Sequence, residues 1–341
     1  MYLATYAVKG GTRSGIVLGG GRVLDFAAAE QVLGAEHPLR QAAAGGRDLA
    51  GLLESGVDLR YLEDLYAASG ELPENSFLDV AELELVAPIP RPGKVVCIGL
   101  NTEGLVGAGV PPIEEMPTAA PFWFYKATTA VIGSGESIIH PGRWHTERLI
   151  PEPELGLIIS RRCGPGIATP RAEDAAGYIA GYVVCNDVSA LDLEFDRGGD
   201  PFAFNLAWSK SYPTFGPIGP WMVTTEDFNP TDAAVTLRVN GETVVASNTR
   251  NYLWNAWELL EYFAAVMVME PGDVISCGNF PPTRVVWPGD LVEIEIEKIG
   301  TLRNPVAGSA QETRYRVPPK VTKQAAEFKA LRARESARTA H

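Results

Sequence analysis

The sequence predicts a β-rich α+β fold, and three observations carry that reading. From Lys94 onward short apolar runs are punctuated by Gly and Pro, one long helical pattern at Leu253–Met267 interrupts them, and a proline-dense stretch at 86–93 sets this region apart from a smaller N-terminal part. Many short strands with one long helix point to a mixed sandwich or roll rather than a doubly wound parallel sheet.

Residues 1–85 read as a small α+β domain. Gly15–Leu18 and Arg22–Asp25 are strand-like and flank Gly19-Gly-Gly21, a natural hairpin turn, and helix-rich segments follow to about Ala68. The glycine cluster is not a phosphate loop, because no Gly-Lys-Ser/Thr follows it. Residues 86–93 are stiff and read as a linker. In the larger domain, 94–307, strands are expected at Lys94–Gly99, Phe122–Lys126, Ala130–Ile132, Leu155–Ser160, Tyr178–Cys185, Ala234–Val239 and Leu291–Ile296. The Trp, Leu and Phe stripe of Leu253–Met267 suits a core better than a cofactor site, and Glu270-Pro-Gly272 stops that helix. Residues 308–341 form a basic tail of helical composition, read as a solvated helix with a subunit contact as the alternative.

The net charge of −13 excludes a general nucleic-acid surface. It is unevenly spread: residues 311–341 hold eight Lys or Arg against three Glu, so the rest of the chain carries −18 by difference. The N-terminus lacks a basic-then-apolar leader pattern and no apolar run approaches ~20 residues, so a cytoplasmic protein without a membrane partner is expected. Cys97, Cys163, Cys185 and Cys277 have no C-x-x-C spacing and read as packed free thiols.

The chemistry centres on Leu149-Ile-Pro-Glu152-Pro-Glu154-Leu-Gly-Leu-Ile-Ile-Ser160. On a strand Glu152 and Glu154 point to one face, and two adjacent carboxylates coexist if both are solvated, one is protonated, or a cation lies between them. Asp187 closes the next strand. Three carboxylates without nearby Cys or His make a hard oxygen site for Mg²⁺, Mn²⁺ or Ca²⁺ rather than Zn²⁺. The alternative is a solvated strand face with Asp187 in a turn.

A set of motifs in one order then narrows the choice: Val96-Cys-Ile-Gly-Leu-Asn101, Phe124-Tyr-Lys126, Ala130-Val-Ile-Gly133, Glu152-Pro-Glu154, Asn186-Asp187-Val-Ser-Ala190, Ser209-Lys210-Ser211, Val239-Asn-Gly-Glu242, Glu270-Pro-Gly-Asp273 and Gly300-Thr-Leu-Arg-Asn304. From about Lys94 to Asn304 the chain resembles the fumarylacetoacetate hydrolase family, and its N-terminal part is similar to the small domain of many bacterial members. The resemblance implies the mixed β-sandwich/roll of that family, a homodimer, and Mg²⁺ or Mn²⁺ (Ca²⁺ possible) on Glu152, Glu154 and Asp187. It implies catalytic roles for Lys210 and Lys126, and a small 2-oxo acid or 1,3-diketone as substrate, activated through a metal-stabilised enolate.

The chain departs from the family pattern where it matters for the reaction. Leu105 and Ala108 stand where hydrolytic members carry the His and Glu that activate water, Leu191 replaces an Arg, and Asn279 lies in a loop that usually reads Thr-Gly-Thr-Pro. Asn101, Leu105, Leu191 and Asn279 are expected to line a more apolar substrate pocket. General acid–base help is worth about 10²–10⁴ in rate, so its loss favours a non-hydrolytic step: tautomerisation, decarboxylation, dehydration, or a lyase or cyclase reaction. The alternatives are a C–C hydrolase with Glu103 or His145 as substitute base, and an idle metal-binding relative.

Overall fold

A computed structural model of the chain describes residues 1–45, 48–103, 120–143, 145–195 and 206–310, with single positions 327 and 330. The N-terminal part supplies β1 (Tyr2–Val8), β2 (Gly11–Leu18), β3 (Arg22–Asp25), β4 (Phe77–Asp79) and β5 (Leu85–Val86), with short helices at Ala29–Val32, Pro38–Gly45, Leu49–Glu54 and Leu62–Ala67. The expected hairpin is β2–β3. Its turn needs glycine, since Gly20 and Gly21 adopt φ of 76° and 77°.

Next come β6 (Val95–Gly99), β7 (Phe122–Lys126), β8 (Val131–Ile132), β9 (Ile138–His140), β10 (Leu149–Ile150), β11 (Pro153–Ile159) and β12 (Ile179–Asn186). They are followed by β13 (Ser189–Ala190), β14 (Gly216–Thr224), β15 (Ala234–Val239), β16 (Glu242–Asn248), β17 (Val274–Ser276), β18 (Leu291–Ile296) and β19 (Gly300–Gly308). The long helix is Ala256–Val266. It starts inside the expected range because Asn255 and Glu258 form a capping box, the Asn255 side chain accepting from the N–H groups of Trp257 and Glu258. Its buried face, Leu259, Leu260, Phe263 and Ala264, is core, as expected.

The strands form open sheets. The largest runs β4-β3-β2-β1-β14-β12-β11-β17-β6-β7, with β5 beside β1 and β8 beside β14; a second runs β16-β15-β18-β19-β9, and β10 pairs with β13. The N-terminal part therefore shares a sheet with the larger one, through Tyr2↔Val223 and Leu3↔Met222. The 86–93 stretch joins them under cover. Val86 pairs with Thr5, Ala87, Pro88, Ile89 and Pro92 are buried, and the Thr5 hydroxyl donates to Pro88 O.

Strand periodicity sorts the core onto two faces. Val96, Ile98, Leu155, Leu157, Tyr182 and Val184 face the second sheet and the long helix, whereas Val95, Cys97, Ile158, Val183 and Cys185 pack with the N-terminal part. Covered on both faces, β11 and β12 are buried throughout, so β11 shows none of the half-exposed alternation that β18 keeps. All four cysteines are buried and free, as expected. Of the expected basic tail, residues 308–341, all but 308–310, 327 and 330 lie outside the described residues.

Candidate metal centre

The site is built where β12 returns to the start of β11. Their antiparallel register pairs Pro153 with Asn186 and Glu154 with Cys185, so Glu152 and Asp187 leave their strands side by side. Two hydrogen bonds fasten them: Glu152 N–H donates to Asn186 Oδ1 at 2.9 Å, and Asp187 N–H donates to Glu152 O at 3.0 Å. Glu152, Glu154 and Asp187 thereby each offer one carboxylate oxygen within 4.8 Å of the others. They are 7%, 1% and 3% exposed, which rules out a solvated strand face.

Other side chains and one backbone amide fix the carboxylates. Glu154 Oε2 accepts from Ser276 Oγ at 2.5 Å and from Gly278 N–H at 3.0 Å. Glu152 accepts from Ser189 Oγ at 2.9 Å and from Asn279 Nδ2 at 3.1 Å. Lys210 Nζ commits its three N–H groups to Glu152 Oε2 (2.5 Å), Asp187 Oδ2 (2.9 Å) and Ser189 Oγ (2.6 Å). Lys126 Nζ gives its three to the carbonyls of Val188, Lys210 and Phe215, at 3.2, 2.7 and 2.7 Å. Asp187 Oδ1 lies 2.8 Å from Lys126 Nζ, a buried ion pair.

The electrostatics follow from burial and these pairs. Burial pushes the Glu154 carboxyl well above the usual range, helped by Asp187. Burial also raises Glu152; Lys210 opposes the rise and Asp187 adds to it. At Asp187 burial acts upward, yet Lys126 and Lys210 together outweigh it and the carboxyl is held low. Burial would strip the Lys210 proton, but Asp187, Glu152 and Glu194 hold its pKa well above the ordinary value. Glu194, whose Oε1 lies 3.6 Å from Lys210 Nζ and accepts from Ser209 Oγ at 2.9 Å, is pushed up to about 7 chiefly by burial.

These features fit a hard divalent cation. Fully ionised, the four carboxylates outnumber the two ammoniums and leave a net −2 that such an ion offsets. The donor set is all oxygen, from three buried carboxylates that converge on one point.

The structure brings Glu152, Glu154, Asp187, Lys126, Lys210 and Asn279 into one cluster. Asn101 sits behind it as a clamp: its Nδ2 donates to Trp254 O and Cys277 O at 2.9 and 2.6 Å, and its Oδ1 accepts from Trp254 N–H. Its bond to Cys277 O braces the residue next to Gly278, whose N–H holds Glu154. Glu103 is exposed, one residue after Thr102, whose hydroxyl donates to Asn279 O. His145 is half-buried with Nδ1 3.0 Å from the Tyr212 hydroxyl, and Leu191 is half-buried with its N–H on Arg148 O. Leu105 and Ala108 lie outside the described residues.

Sequence reasoning passed over Ser189, Ser276 and Glu194. Ser189 follows Asp187 at a spacing of two in an extended segment, a legible signal. Ser276 and Glu194 carried none, because only tertiary packing buries them against the cluster.

The fumarylacetoacetate (FAA) hydrolase C-terminal family model matches residues 94–307. An uncharacterised protein of Methanocaldococcus jannaschii is 37% identical over 214 residues, 63% of this chain and 83% of its own length. The mitochondrial oxaloacetate tautomerase FAHD2A of Bos taurus is 33% identical over 234 residues, 66% of this chain and 70% of its own. The crystal structure of a 5-carboxymethyl-2-hydroxymuconate delta-isomerase from Mycobacterium smegmatis superposes with a TM-score of 0.66 at 29% identity, covering 91% of this chain and all of that one.

Proposed function

The chain belongs to the fumarylacetoacetate hydrolase family of enzymes, and from that membership we propose that it is a divalent-metal-dependent tautomerase of a small 2-oxo acid of the oxaloacetate type. The observation that carries the reading is the buried triad Glu152, Glu154 and Asp187 with the Lys210 ammonium fixed upon it. Two facts favour proton transfer over hydrolysis. Two of these relatives are named as a tautomerase and an isomerase, and Leu105 and Ala108 cannot activate water.

Glu152, Glu154 and Asp187 would hold the cation. When bound, it supplies Lewis-acid polarisation of the substrate's carbonyl and carboxylate oxygens. The residues of the chain do the rest. Lys210 stays cationic beside the cluster, where its fixed charge stabilises negative charge developing on a substrate oxygen. Lys126 keeps Asp187 ionised, and the burial of all these groups limits competing water.

The test is NMR of oxaloacetate in deuterated buffer, with Mg²⁺ and with EDTA. Accelerated keto–enol exchange and deuterium uptake at the carbon beside the carbonyl are expected with metal only, and Lys210→Met should remove them. Metal-dependent release of two acids from an acylpyruvate, with no enhanced exchange on oxaloacetate, would overturn the assignment.

A further inference from the structure

Lys210 poses a problem that the metal centre alone does not solve. All three of its N–H groups are committed, two of them to Glu152 Oε2 and Asp187 Oδ2, which belong to the residues that would hold the cation. Lys210 is 4% exposed, and the centroid of the Phe124 ring lies 5.2 Å from its Nζ. A buried ammonium that lost both carboxylate partners would be left with the Ser189 hydroxyl alone, a costly arrangement.

Among the described residues one further carboxylate stands within reach. Glu194 Oε1 is 3.6 Å from Lys210 Nζ: close enough to attract it, too far to accept its hydrogen. Ser209 Oγ holds that oxygen at 2.9 Å, and Glu194 is 4% exposed. Among the described residues the one hydrogen bond its carboxylate accepts comes from a serine next to the lysine itself, so its surroundings give it no other task there. Its placement makes sense as a site kept ready for the ammonium.

We propose that Glu194 is a second berth for Lys210: when a divalent cation draws on the carboxylates of Glu152 and Asp187, the ammonium shifts by about an ångström toward Glu194 and remains paired. Lysine and cation thus compete for the same two carboxylates, and Glu194 lowers the cost of displacing the lysine. The inference rests on the reading of Glu152, Glu154 and Asp187 as the metal ligands.

The experiment is calorimetric titration of Mn²⁺ into the full-length, EDTA-treated protein. Glu194→Gln should weaken Mn²⁺ binding about tenfold, a coupling of ordinary size for contacting charged groups. Glu194→Asp should weaken it comparably, because it keeps the charge but draws the carboxylate away from the ammonium. In a Lys210→Met background, adding Glu194→Gln should change the affinity less than about twofold, since no lysine then needs a berth. Wild-type affinity in Glu194→Asp, or an undiminished Glu194→Gln effect without Lys210, would overturn the proposal in favour of a plain field effect. If Lys210→Met does not fold, the Glu194→Asp titration decides alone. Glu152→Gln separates the two readings: if it leaves Mn²⁺ binding intact the metal-centre assignment fails, whereas if it abolishes binding and Glu194→Asp matches wild type only the berth fails.

Discussion

Glu154→Gln tests the metal centre most directly, because it changes one charge and almost no volume. Without metal, four buried carboxylates face two ammoniums, and Glu154 has no ammonium within salt-bridge distance among the described residues. An amide keeps an oxygen for Ser276 Oγ and Gly278 N–H while removing like-charge repulsion with Asp187. In EDTA at pH 8 the variant should therefore melt above wild type. With Mg²⁺ the order should reverse. At 100 times Kd, binding stabilises the wild type by about 2.7 kcal/mol. At about 2.1 cal/mol/K of unfolding entropy per residue, that raises Tm by roughly 4 °C in a chain of this length. Losing one buried anionic ligand costs about 2–5 kcal/mol of affinity, which cuts the variant's shift at the same Mg²⁺ concentration to roughly 1.2 °C or less. Differential scanning calorimetry with EDTA and with Mg²⁺ reads both numbers. Equal shifts in the two proteins, or no shift in wild type with Mg²⁺, Mn²⁺ or Ca²⁺, would refute the assignment.

Lys126→Met should lower stability by about 3–5 kcal/mol in urea titrations, because it leaves Asp187 with one cation and three buried carbonyls without their donor; a loss under ~1 kcal/mol would show that these groups find water instead. The metal-free protein should lose stability as pH rises from about 4.5 to 7. Glu194, raised to about 7, keeps its proton in the native state over that window while the unfolded chain gives it up, so the native state binds more protons and stability falls with pH. Glu152 and Glu154 shift in the same direction, and Asp187, held low, acts only below its ordinary range. Urea midpoints at pH 5 and 8 should show this fall and a smaller one in Glu194→Gln; a rise with pH would contradict it. Gly156→Ala should destabilise by about 1–3 kcal/mol, since a Cβ there would lie 2.4 Å from Cys185 Sγ and 2.8 Å from Val183 Cγ2. Adding Cys185→Ala should recover part of that loss in thermal melts.

Local pattern alone determined a good deal of this protein. The period of two placed Glu152 and Glu154 together, the alternation of β18 was visible as Val292, Ile294 and Ile296 against Glu293 and Glu295, and the long helix was legible from its apolar stripe. Motif order, a property of the linear chain, pointed to the family and to Asp187, Lys126 and Lys210. Tertiary structure decided what local pattern does not encode. The pairing of β1 with β14 joined the N-terminal part to the main sheet, because strand partners far apart in sequence leave no short-range trace. Burial of β11 on both faces removed the exposure that a lone strand suggests. Asn101 became a clamp when its carboxamide met Trp254 and Cys277. Glu194 looked like any acid on a short helix until Ser209 and Lys210 closed around it. The charge balance of the centre exists only where residues from five separate segments meet, since burial, and not composition, determines what each of those charges costs.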